Sequence, residues 1–107
     1  MSNSKLASVT LISPNKNSPR NKPIDRISIH CFVGQVTAKR GCEVFQPTSK
    51  KASCNYVVGY DGSIGLCVDE GDRSLCTSSA ANDHRAVTIE TASDNKDPYA
   101  VTDKAYA

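Results

Sequence analysis

Two short stretches alternate apolar and polar residues at a period of two, and they constrain most tightly what this chain can fold into. In Ile27-Ser-Ile-His-Cys31, Ile27, Ile29 and Cys31 share one face and Ser28 and His30 the other. In Val87-Thr-Ile-Glu90, Val87 and Ile89 oppose Thr88 and Glu90. Such alternation is the signature of a β-strand. A histidine near the end of one strand and a glutamate near the end of another are how a protein sets a metal ligand beside a carboxylate that handles protons.

The rest of the pattern supplies other elements. Val36, Cys42, Val44 and Phe45 recur at partly helical spacing, with Thr37 placed to cap the helix and Pro47 to end it. Residues 54–59 and 63–68 flank Tyr60-Asp-Gly62, where Asp-Gly supplies the positive φ of a tight turn, so a β-hairpin is expected. Residues 69–82 read as a long polar connection lining a groove. Residues 1–23 hold three of the five prolines and read as an extended N-terminal arm, with 9–12 able to serve as an edge strand. Near the end, Thr102 and Asp103 open a helix that runs for about one turn. Strand, helix, hairpin, loop, strand and helix in that order give an α/β fold with a mixed sheet flanked by helices.

With 107 residues, 38% of them hydrophobic, and no Trp, the chain supports one domain with a small core. A net charge of +2 implies no nucleic-acid partner, although Lys16, Arg20, Lys22 and Arg26 make the arm locally cationic. No segment is long enough for membrane insertion and no signal peptide opens the chain, so cytoplasmic synthesis is expected. Five cysteines, an odd number without a C-x-x-C pair, favour free, mostly buried thiols.

From the residues alone, His30 is a ligand or a structural histidine, and both readings stand. Hydrolytic zinc needs three protein ligands and an open position; the other candidates are His84 and cysteines whose spacing matches no zinc-finger pattern. Glu90 sits in a half-buried strand, where a carboxylate is costly unless it is paired or working. His84, between Asp83 and Arg85, reads as a solvated or loop-bracing side chain.

The blocks Ile27-Ser-Ile-His-Cys31, Ala52-Ser-Cys-Asn-Tyr56, Asp61-Gly-Ser-Ile-Gly65, Arg73-Ser-Leu-Cys-Thr-Ser-Ser79, Asn82-Asp-His-Arg-Ala-Val-Thr-Ile-Glu90 and Pro98-Tyr-Ala-Val-Thr-Asp103 follow one another in order. In them the chain resembles the zinc-dependent N-acetylmuramoyl-L-alanine amidases, above all those of phage and prophage endolysins, and more distantly the peptidoglycan recognition proteins. The resemblance implies a Zn2+ cofactor, a peptidoglycan substrate, and cleavage of the amide between N-acetylmuramic acid and L-alanine after release to the cell wall.

Carried over by position, His30 matches the first zinc ligand and Glu90 the acidic residue that moves the proton of the zinc-activated water. Cys54 stands where other members have a tyrosine, so Glu90 alone would carry that role. Asn55, Tyr56, Thr77 and Ser78 match blocks bordering the substrate groove, and Leu75 stands where the family has a tryptophan. The family's second histidine ligand and its third ligand, a cysteine or aspartate, have no match. The resemblance therefore implies that residues 24–107 are the N-terminal part of a catalytic domain, incomplete at the C-terminus, weakly active or inactive, and prone to self-association through an uncovered sheet. The alternative is a non-catalytic peptidoglycan-binding module derived from an amidase.

Overall fold

The computed structural model describes residues 3–93. In chain order the elements are β1 (Val9–Thr10), β2 (Lys16–Asn17), β3 (Arg26–Val33), α1 (Ala38–Val44), β4 (Tyr56–Val58), β5 (Ile64–Leu66), β6 (Arg73–Ser74), α2 (Ala80–Arg85) and β7 (Ala86–Ser93), with a 3-10 turn at Thr48–Lys50. Five strands form one mixed sheet in the order β1-β5-β4-β7-β3, and β2 pairs with β6 in a small antiparallel ribbon. This is the α/β architecture expected from the sequence. The helix expected to open at Thr102 lies outside the described residues.

Local chemistry explains the elements. Thr37 caps α1, its hydroxyl accepting from the Arg40 amide at 3.3 Å. Gly62 turns the β4–β5 hairpin at φ 85°, the conformation expected from Asp-Gly. α1 lies across β1, β4 and β5, and Gly41 lets it come close: a Cβ there would sit 2.5 Å from Cγ1 of the fully buried Val57. Cys42, Phe45, Cys54, Val57 and Cys67 form the core, with Leu11, Val44, Ala52 and Cys76 packed against it.

Three findings go beyond the sequence reading. The arm is anchored to the rest of the domain. β1 extends the sheet alongside β5, Asn15 is buried and donates to the carbonyls of Phe45 and Pro47 at 3.1 and 3.0 Å, and Arg20 donates to the carbonyls of Glu70, Asp72, His84 and Ala86 at 2.8 to 3.0 Å. Second, the connection 69–82 is not all loop; it contains β6 and the start of α2. Third, Cys42 and Cys67 are joined in a disulfide with their Cα atoms 5.5 Å apart, correcting the expectation of free thiols throughout. Chain spacing carries no trace of where α1 lands on the sheet, and it lands with Cys42 over the end of β5. Cys31, Cys54 and Cys76 are free.

The cross-link closes a separation of 25 residues, for which chain entropy gives roughly 3 kcal/mol. Cys42→Ser with Cys67→Ser is expected to lower the free energy of unfolding by about that amount in a denaturant titration. A double variant with an unchanged midpoint would show that the bridge contributes nothing.

Candidate functional site

Parallel pairing of β3 with β7 sets His30 directly opposite Glu90. The next strand, β4, sets Val57 opposite Glu90, so the pair shares the sheet face that α1 covers further along. Ile27 and Ile29 point the other way and are each 67% exposed. His30 Nδ1 lies 3.6 Å from Glu90 Oε1, with the histidine side chain 44% exposed and the carboxylate 14%. The imidazole is thus reachable from solvent, while the carboxylate is held beneath it. Burial pushes the Glu90 carboxyl above its ordinary range, and His30 opposes that rise.

Above the pair runs the loop between β6 and α2. One buried carboxylate shapes it: Asp83, fully buried, accepts from the Cys76 amide at 3.2 Å, the Thr77 amide at 3.1 Å and the Thr77 hydroxyl at 2.7 Å. Arg73 Nη2 lies 3.7 Å from the same carboxylate. Ser79 caps α2, accepting from the Asn82 amide at 3.2 Å. The Asn82 side chain in turn donates to Ser28 of β3 at 2.9 Å. The loop is therefore pinned on one side to its own helix and on the other to the strand that carries His30.

This pinning brings Cys76 to the pair. The donor atoms of His30, Cys76 and Glu90 all lie within 4.8 Å of one another. Burial lifts the Cys76 thiol to about 12, with Glu90 and Asp83 adding to the rise. Cys54, fully buried nearby, is also raised, first by burial and then by Cys76 and Glu90. Nitrogen, sulfur and carboxylate oxygen are the donors zinc takes, at about 2.0–2.3 Å each. Ligand atoms around a tetrahedral ion stand about 3.5 Å apart, so the trio fits a zinc ion with a small inward movement.

The residues carried over as groove-lining divide. Thr77 and Ser78 lie in the loop beside Cys76; Ser78 is exposed, in the left-handed region at φ 61°, and lines a cavity of about 300 Å³ with Lys51, Arg73, Leu75 and Cys76. Asn55 and Tyr56 do not line this cavity. Asn55 is fully buried, donating to the Val68 carbonyl at 3.1 Å and accepting from the Thr88 amide at 3.0 Å; it stitches β4 to β7. Tyr56 falls in register with Ile89, on the opposite sheet face, where its hydroxyl bonds to Glu70 and accepts from the Ser4 amide. His84 braces a loop, its Nδ1 accepting from the Asn21 amide at 3.1 Å.

Sequence reasoning missed Cys76 and Asp83. Cys76 lies in one of the blocks that carry the family resemblance, but no spacing ties it to His30; Asp83 has only its place in the first turn of an unrecognised helix.

No family model and no curated protein matches this chain. Among solved structures it is similar to the crystal structure of a selenomethionine AmpD derivative, at a TM-score of 0.69 and 15% sequence identity, over 96% of this chain and 69% of that one. The fold of the chain is the AmpD fold.

Proposed function

We propose that the chain is a peptidoglycan hydrolase of the N-acetylmuramoyl-L-alanine amidase type. The observation that carries this reading is the His30–Glu90 pair, fixed in register across two parallel strands of an AmpD-like fold; AmpD is itself an amidase of this kind. Zinc, when bound, supplies Lewis acidity to the scissile carbonyl and to the nucleophilic water. The chain's own residues do the rest. His30 would hold the ion through its solvent-facing imidazole. Glu90 accepts a proton as the water attacks and returns it to the departing L-alanine amine, since an amide nitrogen leaves only when protonated. Partial burial of Glu90 keeps that proton from exchanging freely with bulk water. Ser78 lines the cavity beside Thr77, and Lys51 adds a positive charge to a lining in which Arg73 is already paired with Asp83, a charge suited to a carboxylate of a peptide stem.

The test is digestion of purified peptidoglycan by the zinc-supplemented chain. An amidase liberates new L-alanine α-amino groups and no new reducing sugar ends. Peptidoglycan that is pulled down but releases neither would favour the non-catalytic binding module, and no binding at all would discard both readings.

A further inference from the structure

We propose that Cys76 is a metal ligand of this chain: a zinc-class divalent cation sits between the Cys76 thiolate and the His30 imidazole, with the Glu90 carboxylate facing it. The inference shares a metal with the proposed amidase but does not depend on its substrate.

Three observations converge on it. His30, Cys76 and Glu90 come from three separate segments, β3, the β6–α2 loop and β7, and their donor atoms meet within 4.8 Å. The Cys76 backbone is not free to wander, because its amide is held by the fully buried Asp83 at 3.2 Å and the side chain packs against the core. A donor on a rigid support ligates far better than one on a mobile loop. The donor set is also selective. One soft thiolate with one imidazole suits zinc over magnesium or calcium, which take oxygen ligands. The charges balance as well: thiolate and carboxylate together offset a divalent ion in a site whose burial makes unpaired charge costly. On binding, the S–H bond breaks, the sulfur pair goes to the metal and the proton leaves to solvent.

Cobalt(II) added to the full chain reports this directly, because a cysteine thiolate bound to cobalt gives a near-ultraviolet charge-transfer band that imidazole and carboxylate do not. The band is expected in the wild type and in Glu90→Gln, and is expected to be lost in Cys76→Ser. A second measurement needs no variant. Zinc is expected to protect Cys76 from alkylation, mapped by peptide mass, while the exposed Cys31 stays as reactive as before.

A band that survives in Cys76→Ser, or Cys76 alkylated equally fast with and without zinc, overturns the assignment. The amidase reading fails separately: a thiolate band without release of L-alanine amines leaves the metal site standing, and zinc-dependent release without the band leaves the amidase standing and removes Cys76 from it.

Discussion

Asp83→Ala is expected to destabilise the fold by about 3–5 kcal/mol, the cost of breaking a buried charge pair from one side. The carboxylate is fully buried and satisfies two backbone amides and a hydroxyl in the Cys76–Thr77 segment. Its removal strands those donors and leaves Arg73, only 16% exposed, without its counter-ion. Each unsatisfied buried donor costs about 1–3 kcal/mol, and a domain of this size has roughly 5–15 kcal/mol in all. Denaturant titration of the variant is expected to show a large share of the stability gone. Asp83→Asn, which keeps the shape and part of the acceptor capacity, should recover a portion of it. A loss under about 1 kcal/mol for the alanine variant would mean that the loop holds its shape by other means. Under conditions where Asp83→Ala remains folded, Cys76 should also be alkylated faster, because the hydrogen bond fixing its backbone is gone.

The second large effect is on chemistry rather than stability. Glu90→Gln is expected to lower release of L-alanine amines by roughly 10²- to 10⁴-fold, the usual contribution of a positioned acid–base group. The amide occupies the same volume and cannot take a proton, so the melting temperature should hold or rise: burial disfavours the charged carboxylate, and glutamine carries no charge. Loss of rate with retained stability and retained affinity for peptidoglycan is the signature of a group used only in the transition state. If Glu90→Gln cleaves as fast as the parent, the proton is handled elsewhere, and the role given to Glu90 is wrong.

What could be read from the sequence was whatever has a period or a local partner. Alternation placed Ser28 and His30 on one face and Thr88 and Glu90 on one face, and the strands preserve both assignments. The Thr37 cap and the Asp-Gly turn depend on neighbours within a few residues and were equally plain. Alternation does not, however, say which face is covered: Ile27 and Ile29 share a face as expected, yet both are largely exposed, and the core is built instead around Cys42, Val57 and Cys67.

Contacts between distant segments leave no periodic trace. The Cys42–Cys67 bridge, the reach of Arg20 across to the ends of β6 and α2, and the meeting of Cys76 with His30 belong to this class. Asn55 and Tyr56 show the same limit from the other side. Their place in a family block was legible, but the strand register that buries one and turns the other to the far face was not.

The parallel pairing of β3 with β7 also bears on how such a protein can change over generations. Residues 34–85 lie between the two strands in the chain, yet the distance between His30 and Glu90 is set by the direct pairing of β3 with β7. Insertions and deletions in the exposed turns of that span, away from Asn82, Asp83 and Cys76, therefore leave the pair in register. A single residue added or lost within either strand is the opposite case, because it turns every later side chain onto the other face. Lineages of this fold should drift freely in loop length and hardly at all in the frame of these two strands.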